Sequence, residues 1–535
     1  MEVDIFLLLF VLAVICLSGF ANVRILQYYQ DPNDRGIGKS IFVKGVIVTS
    51  LTLCWLLNIL LPIDVRNSRP VPGWLDMRSL WMVAFITLAV FLLLIIPAAM
   101  FYHEADDDAA IGKHKKRHVL CNMFFMLLFV LGFLSISYAF LSHASIPVRQ
   151  YTCPASHWVD ASQPLSPVQV SEKVCGSAVD AHIQFKVGFQ IYMVAFMCFI
   201  GWFFFVTFGG IGLSALPLDL ILAFVDRPRH MNAKAYMQEK REIGMEALDL
   251  MRRAEKLHED NNKLTVETGW SAKKKQRKLV ADYNKWKKEV MFLEEDYQKM
   301  QVAHYDQSGA GFTVFLFKLI FGIIFAIASI LWVLHTIIYV VISQQVPGFN
   351  ATFLNALFSA FEGPGLYPVG VGLFGAFNLY LLMCVVKGTL KFGMRIFIFF
   401  SIHPMQAKAT PLNSILFNVL IMLITSATVV QFSQQAFADY ARLTDADVIF
   451  AAQIKYLTFY GFFFEHNIFI YTLLAWFVLT IIYLFVCGAR DNDRKRKKGS
   501  KKDKKGKKDK KGKKDPKEKA GKRLSQADNV PLNRQ

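Results

Sequence analysis

Residues 312–342 read FTVFLFKLIFGIIFAIASILWVLHTIIYVVI, an apolar run interrupted only by Lys318 and His335. A helix needs about 20 apolar residues to cross a hydrocarbon core of about 30 Å, so this stretch is a membrane span. Eight more runs of comparable length flank it. They are Ile5–Leu26, Ile41–Leu61, Leu80–Tyr102, Val119–Ser142, Phe185–Phe208, Val369–Val386, Asn413–Gln431 and Ile468–Cys487. The fold class is therefore an all-α polytopic membrane protein with nine transmembrane helices. An odd number of crossings puts the two termini on opposite faces.

The composition agrees. The chain has 535 residues, 54% of them hydrophobic, with mean hydropathy +0.35, an apolar excess foreign to soluble enzymes. The net charge of +19 is concentrated at one end: from Gly488 onward there are 21 Lys/Arg and 7 Asp/Glu. Nucleic-acid binding does not follow from it.

Basic residues stay on the cytosolic side during insertion. With the N-terminus outside, the cytosolic segments carry 49 Lys/Arg and the opposite face carries 7. The first residues hold Glu2 and Asp4 and no cation, unlike the basic start of a cleaved signal peptide. With Arg24 near its end, span 1 reads as an uncleaved anchor. Localisation is expected in the plasma membrane or an endolysosomal membrane, with the N-terminus outside or lumenal and the C-terminus cytosolic.

Six of the eight cysteines lie within or at the ends of spans. Cys153 and Cys175 share the loop 143–184, which this orientation places outside, where a disulfide suits an oxidising compartment. Two free thiols are the alternative. Asn350-Ala351-Thr352 is an N-glycosylation sequon on the same face.

Four regions follow: a first membrane region (1–224, spans 1–5), an inserted coil (225–308), a second membrane region (309–489, spans 6–9) and a Lys-rich tail (490–535). In the insert, Leu279, Tyr283, Trp286, Val290, Leu293, Tyr297 and Met300 follow a 4-3-4-3-4-3 spacing that aligns them on one helix face. Tyr236, Ile243, Ala247, Leu250, Ala254 and Leu257 form a poorer stripe, broken by Lys240. Thr265–Trp270 permits a turn between them. Either the stripes bury each other in a cytosolic coiled-coil hairpin, or one is open to a protein partner or a second copy. The tail repeats KKDKKG without aromatic residues over Lys501–Asp515, which predicts disorder. Each Lys near an anionic leaflet contributes about 1 kcal/mol, so anionic lipid is a partner to expect there beside simple solubilisation. Without aromatic side chains for base stacking, nucleic acid is not expected.

Enzymatic motifs are missing. The acidic run His103–Asp108 lacks the spacing of a calcium loop, and no phosphate-binding loop, H-E-x-x-H or G-x-S-x-G occurs. No catalytic residue, cofactor or metal is expected. Polar residues inside spans are more informative, because hydrocarbon penalises them. Lys44 and Lys318 lie near span ends, where they can snorkel. Asn58, His335, Asn378 and Asn418 sit one on each of four spans. They either hydrogen-bond between helices or line a polar path, and only the second arrangement supports transport. Pro97 kinks span 3.

Several junction motifs carry a resemblance. Leu61-Pro62-Ile63-Asp64-Val65 follows span 2, and Phe101-Tyr102-His103-Glu104 follows span 3. Span 5 is followed by a Gly-rich then Leu-Pro-Leu stretch (Gly209, Gly210, Gly212, Leu216, Pro217, Leu218). Phe400–Met405 and Asn413–Asn418 lead into span 8. Together they resemble the limb-region membrane proteins, the lipocalin-interacting membrane receptor (LIMR) family. The resemblance implies nine spans, an outside N-terminus, a cytosolic coil between spans 5 and 6, and no catalytic residues. Its branches include a cell-surface lipocalin receptor and a lysosomal partner in cobalamin export. The expectation is a non-enzymatic receptor or escort that binds a ligand or partner outside and a protein partner through the coil. A small-molecule transporter, or a subunit of one for a vitamin-like cargo, is the alternative. At the Gly/Pro junction after span 5, either the helix ends or the chain forms an interfacial element.

Overall fold

The computed structural model describes residues 5–31, 40–69, 75–107, 115–150, 179–227, 231–264, 270–305, 310–343, 351–362, 367–391 and 410–486, with 346, 395–396, 400–401, 405 and 408. Cys153, Cys175, Asn350 and the Lys-rich tail lie outside the described residues.

Nine helices among the described residues are long and apolar enough to cross a membrane. They are Leu12–Tyr29, Ile41–Asn67, Met77–Ala105, Lys116–Leu141, Phe189–Val225, Phe312–Ile342, Val369–Lys391, Leu412–Ala436 and Ile468–Val486, spans 1 to 9 below. The chain forms two compact units, one of residues 1–215 with 335–535 and the other of Leu216–Leu334.

In the first unit, burial sorts helices that hydropathy leaves alike. Span 8 is 89% buried and spans 1 and 4 only 11%, so span 8 is the central helix and the other two are peripheral. Its sequence accounts for this. Thr425, Ser426, Thr428, Gln431, Ser433 and Gln434 are all buried on it, and polar side chains in hydrocarbon need protein partners. The Phe-rich surface of span 4, with Leu120, Phe129 and Phe140 exposed, has no such need. Span 3 contains a π-helical turn at Phe91–Ile95, one turn before Pro97. The missing proline N–H and the ring's clash with the preceding turn account for the local rewinding. A second π-helical stretch, Thr336–Ile342, ends span 6, and a third, Val448–Ile454, lies between spans 8 and 9. Between spans 4 and 5, His143–Gln150 pairs antiparallel with Val179–Lys186.

Span 5 departs from the sequence reading. The helix continues through the Gly/Pro junction from Phe189 to Val225, with Pro217 inside it. The glycines serve packing rather than turning. A Cβ on Gly212 would stand 1.7 Å from the Cys384 carbonyl oxygen of span 7, and one on Gly388 would stand 2.0 Å from the Phe208 carbonyl oxygen of span 5. Each glycine thus makes room for the other helix's backbone, the small-residue logic of membrane helix crossings. Gly210 plays the same part against Leu473 and Trp476 of span 9.

The second unit contains the helices Ala233–Leu264 and Trp270–Tyr305. Their apolar stripes face each other: Leu250 and Met300 are buried, and Trp286 Nε1 donates to the Leu250 carbonyl at 2.9 Å. Arg253 bridges to Glu289 at 2.9 Å. Tyr236 stacks on His304 with ring centres 4.0 Å apart, and the Met231 N–H donates to the Ala303 carbonyl, closing the open end. This unit runs wider than the insert 225–308, because the end of span 5 and most of span 6 pack with each other, as at Gly322 against Ile221.

Candidate functional site

The four intramembrane polar residues do not form one constellation. Asn58 Nδ2 donates to the Cys54 carbonyl at 2.9 Å and reaches the Ser426 carbonyl at 3.5 Å. Asn378 Nδ2 donates to the Asn58 carbonyl at 2.6 Å, and Ser433 donates to Asn378 Oδ1 at 2.7 Å. Asn58 and Asn378 thus join spans 2, 7 and 8. His335 stands apart from them. Its ring stacks on Tyr339 and Phe437, and Nε2 bonds the Ala436 carbonyl at 2.8 Å, at the end of the central helix. Asn418 is buried near the opposite end of span 8. All four are buried, and Asn58, Asn378 and His335 take the bonding arrangement between helices.

Even-numbered spans all end on one face of the bundle, because each pair of crossings returns the chain to the same side. On that face the segment after span 8 binds the other three loops. Asp64, almost wholly buried, accepts from Trp81 Nε1 at 2.8 Å and from the backbone N–H groups of Ala446 at 2.8 Å and Asp445 at 3.3 Å. Arg69 pairs with Glu362 at 2.9 Å, and Glu362 also accepts from the Tyr440 hydroxyl. The guanidinium lies over the Tyr440 ring, 4.8 Å from its centre. Burial, with the adjacent Glu362 carboxylate, pushes the Tyr440 hydroxyl up from its ordinary value. The β-hairpin joins through Ser145 N–H to the Tyr456 carbonyl at 3.0 Å and Thr458 Oγ1 to the His143 carbonyl at 2.8 Å. These bonds weld the described parts of four loops into one cap.

Beneath the cap lies a cavity of about 180 Å³. It is lined by Tyr339 and Ser343 from the end of span 6, and by Gln431, Gln434 and Gln435 from the last turns of span 8. Ala438, Asp439, Phe450, Ala451, Lys455 and Phe464 complete it. Tyr339 belongs to one π-helical stretch, with Ser343 just beyond it, while Phe450 and Ala451 belong to another. Such wide turns re-aim side chains and recur at functional sites. Two of the three amides are oriented by neighbours. Gln431 Oε1 accepts from Trp202 Nε1 at 3.0 Å, and Gln434 Nε2 donates to Asp447 Oδ1 at 2.7 Å. Burial lowers the Lys455 ammonium from its ordinary value, with Glu465 opposing the shift, and burial raises Asp447, with the Leu443 and Gln434 hydrogen bonds opposing. The cavity thus offers donors, acceptors and both signs of charge against two phenyl rings. Among the described residues, no His, Cys, Asp and Glu group is arranged to hold a metal ion.

Gln431, Gln434, Gln435, Asp439 and Lys455 were not singled out from the sequence. The one local trace is the i, i+3, i+4 spacing of the three glutamines, which puts them on one helix face at the end of an apolar run. Asp64 lay within a junction motif, but its role depends on residues about 380 positions away. The other junction residues divide: Gly210 and Gly212 sit at helix crossings, Gly209 packs on the Phe205 ring, and Leu216, Pro217 and Leu218 continue the same helix.

A family model described as LMBR1-like membrane protein matches residues 3–290 and 271–482. A LIMR family protein of Dictyostelium discoideum is 30% identical, covering 90% of this chain and 98% of its own. One from Oryza sativa is 31% identical, covering 88% of this chain and 93% of its own. Another, from Arabidopsis thaliana, is 31% identical over 92% of this chain and 97% of its own. No solved structure matches. Nine apolar helices and matches that run nearly the whole length lead to one conclusion: the chain is an integral membrane protein belonging to the LMBR1-like, or LIMR, family.

Proposed function

We propose that this protein is a non-enzymatic receptor or escort that meets a small ligand or a partner at the capped face. The carrying observation is that the four loops with few cations are cross-bonded around a polar cavity, while Asn58, Asn378 and His335 within the spans are engaged between helices. The contrast of 49 against 7 basic residues supports an outside or lumenal position for this cap. The N-terminus is then outside, and the helical hairpin and C-terminus are cytosolic, in the plasma membrane or an endolysosomal membrane. A Cys153–Cys175 disulfide and a glycan at Asn350 belong to the same reading. Inside the cell the hairpin recruits a protein partner, supported by the exposed apolar face of Met237, Met245, Leu248 and Met251. The Lys-rich tail rests on anionic lipid.

Impermeant maleimide, applied to intact cells or sealed organelles, tests the reading. It should label Val179→Cys but leave Met245→Cys untouched until permeabilisation, each compared with the unsubstituted chain. The reverse pattern overturns it. A transporter or transporter subunit is the second reading, favoured by the buried polar residues that run along span 8 from Thr425 to Gln434, beside the cavity. Solute flux through vesicles holding the purified chain alone, abolished by Gln431→Leu, would establish transport.

A further inference from the structure

The geometry points to a small zwitterion, carrying a primary ammonium and an acidic oxo group, as the ligand of the cavity beneath the cap; this rests on the receptor reading above. The cavity holds Asp439, exposed at its rim and bonded by the Tyr339 side chain, and Lys455, which is half-buried; among the described residues no ion pair joins them. Half-buried Lys455 has no described carboxylate within bonding distance, so its solvation is incomplete and the acidic group of a ligand restores it, while Asp439 stands at the rim to meet the ligand's ammonium. The amides divide the cavity chemically. Gln431 has its carbonyl oxygen engaged by Trp202 and so retains its N–H donors, whereas Gln434 has its amide nitrogen engaged by Asp447 and retains its carbonyl. The donor set is thus Lys455 with Gln431, suited to a carboxylate or phosphate. The acceptor set is Asp439 with Gln434, suited to an ammonium. Phe450 and Phe464 bound the remainder and accommodate a short apolar substituent. A volume of about 180 Å³ admits a few waters or one compact solute. The same chemistry is offered by a free α-amino acid and by the headgroup of phosphatidylethanolamine.

Full-length protein in nanodiscs separates the two sources. In pure phosphatidylcholine, whose quaternary ammonium cannot donate a hydrogen bond, L-alanine is titrated and read by calorimetry and thermal unfolding. A free amino acid as ligand gives saturable binding. A headgroup as ligand gives higher thermal stability when phosphatidylethanolamine replaces phosphatidylcholine. In either case Lys455→Met and Asp439→Asn should each weaken binding about tenfold or more, the loss of one charge-assisted hydrogen bond. Lys455→Arg should retain it, and unliganded unfolding temperatures check that the variants fold. The proposal is overturned if neither alanine nor phosphatidylethanolamine has an effect, or if Lys455→Met and Asp439→Asn respond as the natural chain does. Such a result would leave the cap's placement untouched, because maleimide labelling of Val179→Cys decides that separately.

Discussion

Replacing Asp64 by leucine removes the acceptor on which three donors converge, and the structure sets the size of the effect. Trp81 and Ala446 are fully buried, so the indole N–H and the Ala446 N–H lose partners that water cannot replace. Each stranded buried donor costs about 1–3 kcal/mol. The 3.3 Å bond from Asp445 is longer and its residue half-buried, so it adds little. Relief from burying a carboxylate offsets part of the loss. A net destabilisation of about 3 kcal/mol is expected. Trp81→Phe keeps the stacked ring beside Phe85 while deleting the donor, and should cost about 1 kcal/mol. The double variant should be less destabilised than the sum of the singles, because Asp64→Leu has already removed the acceptor the indole needs. Unfolding of the full chain in detergent, followed by tryptophan fluorescence against temperature, reads all four proteins. Strict additivity, or an Asp64→Leu chain as stable as the natural one, would refute the clamp.

Three further outcomes follow from particular contacts. Gly388→Ala should sharply reduce folded protein on size-exclusion chromatography, since its Cβ would strike the Phe208 carbonyl, whereas Gly372→Ala, with nothing within 4 Å, should behave as the natural chain. Arg69→Ala leaves the shielded Glu362 without its cation and should cost about 1–2 kcal/mol after allowance for partial exposure, with Glu362→Gln milder, as measured by thermal unfolding. Burial raises the Asp447 carboxyl, so the folded chain binds its proton more tightly than the unfolded chain. This group's contribution therefore falls as pH rises from the ordinary carboxylate value through the raised one. Asp447→Asn should flatten that part of the stability–pH curve, and an unchanged slope would exclude Asp447 as its source.

The membrane spans were legible because each is a contiguous property: hydropathy over about 20 residues is local information. The hairpin stripes were legible for the same reason, since Leu250 and Trp286 sit on faces that periodicity alone defines. Span 5 was misjudged where Gly209–Gly212 and Pro217 suggested a break. Turn propensity is overridden there by close packing on Cys384 and Trp476, partners that local sequence does not reveal. The order of helices was hidden likewise, since spans 4 and 8 are both apolar and only tertiary bonding makes one central. The cavity was the least legible element. Its residues come from the ends of two spans and from the segment before span 9, and they are brought together by tertiary bonds such as those of Asp64, Trp202 and Asp447.

The clamp at Asp64 also imposes a schedule on biogenesis. The carboxylate leaves the ribosome some 380 residues ahead of the backbone groups that will hold it, a delay of about 20–75 s at typical synthesis rates. Throughout that interval the early loops have no mate, and Arg69 waits equally long for Tyr440. A nascent chain stalled or truncated before span 8 would therefore hold seven helices apolar enough to lodge in the bilayer while showing quality-control factors an unsealed surface.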